Sequence, residues 1–461
     1  MAVIGPAADT VSYGDYTETR GRKGGVSVLD GIRAAVSPET EVLYERGCNF
    51  LGQALHPFDA SMLRDENGEA GLTGRYYNGP VPQGEPVQVR TDRTVNFNWI
   101  FALPHPALDA NCFSVVWTGS VVMPRTMDGC IGLSTQDSMR LYVDDKLLID
   151  GWGKDKSADQ ALDFHFEAGR TYKIRIEFVN DRRGARVIFG YSAGWENFPA
   201  AVEAARKADV AILCMGDNEE TSGENFDRTD LNLPGRQLEL VQAVYATGTP
   251  VVLVLQSGRP VTANWENDHL PAILEAWFPG EQGGTAIAKT LFGNAAPGGR
   301  LPITFPRSVG QIPCHYSRRP GGGKRYVEMD WLPLYPFGYG LTYTTFAYRD
   351  MALSRSVIDP QDTVTVSVTV TNTGKYTGDA VPQLYVRDMF SSVVKPERQL
   401  AAFRRLTLAP GESRRVELTI GPKQLRTLGP DYVWRVEPGK FELQLGDNAE
   451  NILLRADLTV E

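Results

Sequence analysis

Residues 208–215, Ala-Asp-Val-Ala-Ile-Leu-Cys-Met, form a short and nearly continuous apolar run that a glycine and several acidic residues follow. Runs of the same kind occur at 250–257 (PVVLVLQS) and at 272–278 (AILEAWF). Strands buried on both faces of a parallel sheet have this length and composition, because helices cover both of their sides. The three runs therefore predict three buried strands of a parallel sheet.

Helices are predicted in the segments between these runs. Pro234 suits the first position of a helix that continues through LELVQAVYA and ends before Gly248. A second helix is predicted over 282–292 and ends at Gly293. Strands that alternate with helices favour a mostly parallel sheet with helices on both of its faces.

The first 69 residues contain the same kinds of element. Met1 is followed directly by Ala-Val-Ile-Gly-Pro, which predicts a short buried strand that ends in a turn. A glycine-rich loop over 12–25, a helix near 26–36 and a strand at 41–46 come next. The basic and apolar regions of a signal peptide do not precede the first strand, which favours a cytoplasmic protein.

Two β-rich segments interrupt and follow this pattern. Residues 70–193 contain alternating and aromatic runs such as CFSVVWTGSV and TYKIRIEFV, with Asp144-Asp145 as a predicted hairpin turn. Residues 345–461 contain short alternating runs at the spacing of a β-sandwich. The sequence thus predicts a multidomain chain, in which an α/β sandwich of 1–69 and 194–344 carries a β-rich insertion at 70–193 and is followed by an all-β sandwich.

The overall composition excludes several classes of protein. A net charge of −9 argues against nucleic acid or a membrane surface as the partner. No apolar run reaches the roughly 18–20 residues that a membrane-spanning helix needs. Five cysteines without a Cys-x-x-Cys pair indicate neither a disulfide framework nor a zinc site, and five scattered histidines match no metal spacing. No metal and no cofactor are expected.

The loop after 208–215 is the strongest local candidate for a site. It reads Gly-Asp-Asn-Glu-Glu-Thr-Ser-Gly-Glu-Asn-Phe-Asp-Arg over 216–228. Ligands of open α/β sheets bind at the carboxyl ends of the strands, and crowded carboxylates raise the pKa of at least one of them, as a general acid requires. A solvated acidic loop without a catalytic role explains the same residues, so the pattern alone leaves both interpretations open.

Motifs along nearly the whole chain resemble the glycoside hydrolase family 3 enzymes of the β-glucosidase kind. Gly-Glu-Asn-Phe-Asp-Arg at 223–228, followed by Leu-Asn-Leu-Pro-Gly-Arg-Gln at 231–237, is similar to the segment that holds the acid/base glutamate of that family. The other matches follow in the family's order: Val-Ile-Gly-Pro at 3–6, Gly-Asp-Tyr at 14–16, Ser-Gly-Arg-Pro-Val at 257–261, Ala-Trp-Phe-Pro-Gly-Glu-Gln-Gly-Gly at 276–284, Gly-Gly-Arg-Leu-Pro-Ile-Thr-Phe-Pro at 298–306 and Pro-Phe-Gly-Tyr-Gly-Leu-Thr-Tyr at 336–343. The resemblance implies that residues 345–461 are a fibronectin type III-like domain.

The resemblance assigns the chemistry to two carboxylates. Glu224 is implied as the general acid/base of a retaining enzyme, in which the two carboxyl groups stand about 5–5.5 Å apart. The nucleophile of the family is an aspartate on a barrel domain that normally precedes Val3, and it is expected to be absent from this chain. Asp330, in Met-Asp-Trp at 329–331, resembles the family's Ser-Asp-Trp motif, but it follows no buried strand and is not predicted to be the nucleophile.

The insertion at 70–193 resembles the sugar-associated module named after the anthrax protective antigen. Its matches are Gly-Leu-Thr-Gly-Arg-Tyr-Tyr at 71–77, Trp-Thr-Gly at 117–119, Arg-Leu-Tyr-Val-Asp at 140–144 and Leu-Ile-Asp-Gly-Trp at 148–152. The resemblance implies that the insertion walls the sugar pocket, where Trp152 is a candidate for stacking on a sugar; a position in the core of the module is the alternative. Some lectins of this kind bind calcium with adjacent aspartates, but Thr-Gln-Asp-Ser at 135–138 lacks one of them, so no calcium site is predicted.

Arg228 and Trp277 complete the set of candidate substrate-binding residues. Arg228 is the arginine of the acidic loop, and Trp277 stands, with Glu281, at the end of another predicted strand. Glu281 has an alternative role at the start of a helix, where a carboxylate interacts favourably with the helix dipole.

Two functions are compatible with these residues. The first is a retaining β-glucosidase-type hydrolase that acts on the ends of short β-linked glucosides or oligosaccharides, with a separate barrel domain or chain as the source of its nucleophile. This chain would supply the acid/base glutamate and the pocket walls, and it is not expected to turn over substrate alone. The second is a non-catalytic carbohydrate-binding or scaffold protein derived from such an enzyme.

Overall fold

A five-stranded parallel sheet forms the centre of the first unit. The computed structural model describes residues 1–14, 17, 24–50, 55–99, 103–135, 137–153, 158–181, 185–193, 198–218, 221–321 and 325–461. In spatial order the strands of this sheet are Ala272–Glu275, Val251–Gln256, Ala211–Gly216, Ala2–Ile4 and Leu43–Glu45. Ala2 lies opposite Ala211, so the start of the chain and the segment after the β-rich insertion share one sheet.

Helices cover both faces of this sheet, as the alternation of strands and helices predicts. Val28–Ala35 and Gly283–Leu291 pack on the face that Val3 and Ile212 line. Phe198–Arg206 and Gln237–Tyr245 pack on the opposite face. The remaining helical segments are Asn264–His269, Pro422–Leu425 and the short 3₁₀ turns Ala60–Met62 and Val309–Gln311.

Two predicted elements have different ends in the structure. The helix that was expected to begin at Pro234 begins at Gln237, because Gly235 adopts φ of +60° and a residue in that conformation cannot belong to a right-handed helix. The strand predicted over 272–278 ends at Glu275, since Trp277 has φ of +53° and turns the chain out of the sheet. The helix predicted over 282–292 is confirmed as Gly283–Leu291, followed by Gly293 at φ of +75°.

The β-rich insertion consists of two antiparallel sheets around one aromatic core. The first sheet contains Lys146–Asp150, Ser138–Val143, Thr171–Asn180, Phe113–Val122, Leu72–Asn78 and Gln88–Asp92, with Leu63–Arg64 paired to Phe113–Val122. The second contains Ala158–Phe166, Met127–Thr135, Arg186–Ala193 and His56–Pro57, with Asn96–Asn98 paired to Arg186–Ala193. The strands between residues 56 and 193 therefore belong to these two sheets, whereas the domain boundary at 69 stays a prediction.

Three motif residues of the insertion, Tyr76, Trp117 and Gly119, contribute to the packing of its core. Asp92 is buried and accepts hydrogen bonds from the Tyr76 hydroxyl at 2.5 Å and from Nε1 of Trp117 at 2.8 Å. Gly119 has φ of +152°, and a Cβ there would lie 2.3 Å from the backbone oxygen of Arg64. The Trp-Thr-Gly motif thus satisfies a buried carboxylate and permits a close approach of two strands. The predicted turn at Asp144-Asp145 is confirmed, with positive φ at both residues.

The last unit is an all-β sandwich. One sheet contains Phe346–Leu353, Val364–Asn372 and Ser413–Ile420, and the other contains Val357–Ile358, Ile452–Val460, Gly439–Gly446, Gln383–Asp388 and Gln399–Phe403. Two short pairs, Gly378–Ala380 with Leu406–Leu408 and Thr427–Leu428 with Trp434–Arg435, flank them. The side-chain amide of Gln383 donates a hydrogen bond to the backbone oxygen of Gly338, and the N–H of Ala449 donates one to the backbone oxygen of Phe337, each at 3.0 Å. These bonds join the Pro-Phe-Gly-Tyr-Gly segment to the sandwich.

Candidate active site

The acidic loop leaves the central strand at a position that requires glycine. Gly216 has φ of +139°, and a Cβ on it would lie 2.0 Å from the backbone oxygen of Gln256. The fully buried side chain of Gln237 holds this strand end from both sides: its Oε1 accepts from the Gly216 N–H at 2.7 Å, and its Nε2 donates to the Gly216 oxygen at 2.9 Å. These contacts fix the point at which the loop begins.

A buried ion pair lies at the start of the loop. Asp217 is fully buried, and its Oδ2 lies 3.1 Å from Nε of Arg259. The hydroxyl of Thr221 donates to Oδ1 of Asp217 at 3.1 Å. Burial lowers the pKa of the Arg259 guanidinium from its ordinary value, although the charge of Asp217 acts in the opposite direction. Among the described residues, the partners of the Asp217 carboxylate are thus a cation and a hydroxyl, and the predicted crowding of the loop carboxylates stays a prediction.

Arg259 also ties the beginning of the loop to its return. Its guanidinium donates to the backbone oxygens of Leu231 at 2.8 Å and Asn232 at 2.9 Å, both on the returning segment. Arg259 belongs to the Ser-Gly-Arg-Pro-Val motif, but no local pattern pairs it with Asp217, which lies 42 positions earlier. Sequence reasoning therefore missed both residues as determinants of the site.

Glu224 lies on the part of the loop that faces outward, and it is exposed. The backbone N–H of Phe226 donates to the oxygen of Gly223 at 3.3 Å, and Asn225 between them has φ of +66°. Asparagine adopts this left-handed conformation more readily than other non-glycine residues, which suits it to a tight turn. The turn thus presents Glu224 to any molecule at this edge of the sheet, while Glu219 and Glu220 lie outside the described residues.

Arg228 points back toward the buried carboxylate. Its Nη1 lies 3.7 Å from Oδ1 of Asp217 and donates to the backbone oxygen of Thr221 at 3.3 Å. These contacts help to hold the loop, and the role of Arg228 in substrate binding stays a prediction.

Trp277 lies at the same edge of the sheet. A Cβ on Gly258 would lie 2.9 Å from both the Ser222 hydroxyl and the ring of Phe278, so the loop and the segment 277–278 meet there. The half-buried ring of Trp277 packs edge-to-face on Phe305, with 5.8 Å between the ring centroids. Phe278 and the acidic loop therefore meet at this edge of the sheet, and the role of Trp277 in substrate binding stays a prediction.

A buried carboxyl group supports the unusual conformation of Trp277. Oε1 of Glu275 accepts from the Trp277 N–H at 2.9 Å, and Oε2 is buried without a hydrogen-bond partner among the residues that the structure describes. Burial raises the pKa of Glu275 from 4.5 to about 8. The carboxyl group is therefore mostly protonated at neutral pH. Nothing in the run AILEAWF distinguishes this glutamate from a surface one, and sequence reasoning missed it.

The Glu275→Gln variant is expected to gain stability relative to the parent chain as the pH rises. Between the unfolded value near 4.5 and the folded value of about 8, the unfolded chain releases the proton of Glu275 before the folded chain does, so alkaline pH destabilises the parent. We expect roughly equal free energies of unfolding at pH 5 and a gain of roughly 2–4 kcal/mol for the variant at pH 9. Urea unfolding at the two pH values measures this difference. Glu281→Gln, at an exposed position, is the matched control, and a gain of the same size for that variant would contradict the assignment.

Trp152 follows the hairpin of Ser138–Val143 and Lys146–Asp150. The guanidinium of Arg140 lies over its ring, 4.7 Å from the centroid, and the Trp152 N–H donates to Oδ1 of Asp150 at 3.2 Å. The ring is half-buried and lies outside the buried core cluster, as far as the described residues define that cluster. The position suits a surface that contacts a ligand, and the role itself stays a prediction.

Asp330 and Ser192 lie in sequence patterns that resemble catalytic motifs, but their surroundings in the structure indicate structural roles. Asp330 accepts the N–H of Leu332 at 3.0 Å and so caps its own turn. Ser192 belongs to a Gly-x-Ser-x-Gly pattern at 190–194, but it lies within an antiparallel strand and is fully buried, unlike the exposed serine of a hydrolase elbow.

Among the described residues no cluster of three His, Cys, Asp or Glu could hold a metal ion. No helix in the described part of the chain has the length and apolarity needed to span a membrane.

Comparison with known proteins agrees with this architecture. The model of the glycosyl hydrolase family 3 C-terminal domain matches residues 1–343, and that of the fibronectin type III-like domain matches residues 380–449. This chain therefore belongs to glycoside hydrolase family 3. The protective-antigen-type insertion stays a resemblance.

Relatives of the chain include enzymes named for two sugars. A β-glucosidase of Rhizobium radiobacter is 34% identical over 100% of this chain and 59% of its own length. A β-xylosidase of Formosa agariphila is 45% identical over 63% of this chain and 42% of its own length. The crystal structure of β-glucosidase from Kluyveromyces marxianus superposes with a TM-score of 0.77 at 26% identity, over 100% of this chain and 59% of that one. The chain thus spans about three fifths or less of these proteins.

Proposed function

We propose that this chain is the part of a retaining β-glucosidase-type hydrolase that supplies the general acid/base, Glu224. The observation that carries the proposal is the position of Glu224 on an exposed turn whose two ends are held by one buried ion pair, Asp217 with Arg259. A proton donor must be accessible to the substrate and also fixed in place, because catalysis depends on its distance from the leaving oxygen.

In the proposed reaction, the carboxyl group of Glu224 protonates the glycosidic oxygen while an aspartate outside these residues attacks the anomeric carbon. The Glu224 carboxylate then removes a proton from water, which displaces the sugar from that aspartate. The two carboxyl groups of retaining enzymes stand about 5–5.5 Å apart. The exposed edge of the sheet at Glu224 is therefore the surface on which the domain with the nucleophile would dock.

Short β-linked glucosides are the proposed substrates. The Rhizobium radiobacter relative and the Kluyveromyces marxianus structure, which both align with the whole chain, insertion included, are named β-glucosidases. The β-xylosidase match covers 63% of the chain. The Kluyveromyces marxianus enzyme has also been crystallised in complex with glucose. The insertion, with Trp152 on its surface, would limit the pocket to short chains.

The proposed function predicts that the 461 residues alone hydrolyse aryl β-glucosides no faster than background, because no glycosyl–enzyme can form without the nucleophile. A chimaera in which this chain replaces the matching segment of the Rhizobium radiobacter β-glucosidase is expected to hydrolyse the same substrates. Release of nitrophenol measures both. The chimaera separates the proposal from the alternative of a non-catalytic sugar-binding protein.

Two outcomes would contradict this assignment. A folded chimaera without activity would favour the non-catalytic alternative. Turnover by the chain alone that survives Glu224→Gln and disappears on Asp330→Asn would identify Asp330 as a nucleophile.

A further inference from the structure

A cavity of about 970 Å³ lies between the end of helix Gly283–Leu291 and the β-sandwich. Its lining includes three aromatic and three polar residues: Phe292, Tyr343, Tyr376, Asn294, Asp379 and Thr407. None of them is among the candidate substrate-binding residues of the acidic loop.

This cavity lies at the edge of the sheet opposite to Glu224. The helix Gly283–Leu291 starts beside the loops at the carboxyl ends of the strands, where the N–H of Gly280 donates to the oxygen of Ser12 at 3.1 Å. Nine helical residues rise by about 13 Å. The residues after Leu291 therefore lie at the amino ends of the strands, which separates the cavity from the candidate active site.

The three aromatic rings of the cavity are accessible to a ligand. Tyr376 is 64% exposed, Tyr343 43% and Phe292 37%. Within the described part of the chain, none of these rings stacks on another aromatic ring or on a cation. The hydroxyl of Tyr343 donates to the backbone oxygen of Thr290 at 2.6 Å, so that ring is fixed although its face is open.

The buried side chain of Asn372 holds the turn that carries Tyr376. Asn372 is fully buried, and its Nδ2 donates to the backbone oxygens of Tyr376 at 2.8 Å and Leu408 at 2.9 Å. Its Oδ1 accepts from the Thr344 hydroxyl at 2.6 Å and from the Gly374 N–H at 3.0 Å. A ligand that stacks on Tyr376 therefore has to order only this side chain and not the turn that carries it.

The polar groups of the cavity offer hydrogen bonds without a strong net charge. Asp379 accepts from the Thr407 hydroxyl at 2.6 Å and from Nε of Arg405 at 2.7 Å, so its carboxylate is neutralised within the protein. Asn294 and Thr377 are exposed and carry amide and hydroxyl groups. This combination disfavours a cation or an anion as the ligand and suits a neutral molecule with many hydroxyl groups.

We propose that this cavity is an accessory carbohydrate-binding site for a segment of a neutral glycan; the choice of a β-linked glycan rests on the proposed function. The apolar faces of sugar rings stack on exposed aromatic rings, and their hydroxyl groups pair with amide and hydroxyl side chains. Phe292 and Tyr376 are the stacking rings, and Asn294 is a hydrogen-bonding partner. The site binds without catalysis and is independent of Glu224.

Affinity electrophoresis of the full chain in gels that contain soluble mixed-linkage β-glucan tests the proposal. The parent chain is expected to migrate more slowly than in a gel without the polysaccharide. Tyr376→Ala and Phe292→Ala are each expected to raise the dissociation constant by about three- to tenfold, which is the contribution of one stacked ring. Tyr432→Ala removes another tyrosine, 85% exposed on a different hairpin, and is expected to leave the retardation unchanged.

Three results would overturn the proposal. The first is that the parent chain is not retarded by β-glucan. The second is that Tyr432→Ala reduces the retardation as much as Tyr376→Ala does, which would indicate non-specific adhesion. The third is retardation that Trp152→Ala abolishes and Tyr376→Ala leaves unchanged, since this would place the binding on the insertion. Because the assay measures binding, its outcome does not depend on whether the proposed hydrolase activity is correct.

Discussion

Replacement of Arg259 by methionine is expected to lower the free energy of unfolding by about 3–5 kcal/mol, the usual cost when one partner of a buried ion pair is removed. The physical reason is the position of Asp217, which is fully buried and has its Oδ2 3.1 Å from Nε of Arg259. Arg228, with its Nη1 3.7 Å from Oδ1 of Asp217, compensates only partly. The variant also loses the hydrogen bonds to Leu231 and Asn232 that hold the returning end of the loop. Urea unfolding measures the loss.

Two comparisons make this prediction specific. Arg435→Met removes an arginine of an exposed ion pair with Asp431 and is expected to cost less than about 1 kcal/mol. The double variant Asp217→Asn with Arg259→Met should recover part of the loss, because it leaves no unpaired buried charge. Limited proteolysis should cut the loop around Glu224 faster in Arg259→Met than in Arg435→Met. Equal stabilities of the two single variants would show that Arg259 does not support the loop.

The buried strands could be predicted because a strand that is covered on both faces consists of consecutive apolar residues. Val251–Gln256 and Ala211–Gly216 are covered on both faces, so each is a nearly unbroken apolar run whose limits fall within three residues of the predicted ones. The ends of elements depend on single backbone conformations that such runs do not reveal. Because Gly235 and Trp277 have positive φ, one helix begins three residues later than predicted and one strand ends three residues earlier.

The candidate site could be predicted less completely, because its supporting contacts join distant positions. Glu224 was predicted from a motif within one loop, and the structure places it on an exposed turn. The pairing of Asp217 with Arg259 and the clamp of Gln237 on Gly216 link residues 42 and 21 positions apart. The protonation of Glu275 depends on burial by the surrounding fold. These properties arise from three-dimensional packing and have no local signature.

Glu224→Ala, tested in the chimaera with the Rhizobium radiobacter β-glucosidase, is expected to slow the cleavage of cellobiose by roughly 10²–10⁴-fold. Activated aryl β-glucosides should be affected far less in the first step. A sugar alcohol leaves only if a proton reaches its oxygen in the transition state, whereas nitrophenolate is a stable anion and departs without one. Azide should restore turnover of the aryl glucosides, because the vacated site admits an anion that needs no general base to attack the glycosyl–enzyme. Steady-state rates with the two substrate types, with and without azide, measure these effects.

The same loop supplies the controls. Asp227→Asn changes an exposed carboxylate three positions away, and Glu219→Gln and Glu220→Gln change two that match no catalytic position of the family. These variants should have much smaller effects, because they alter the local charge without removing the proton donor. An equal loss on cellobiose and aryl glucosides without rescue by azide would mean that Glu224 maintains the shape of the loop. In that case another group must protonate the leaving oxygen, and the buried carboxyl of Glu275, which holds the backbone of Trp277 at the same edge of the sheet, would be the next residue to replace.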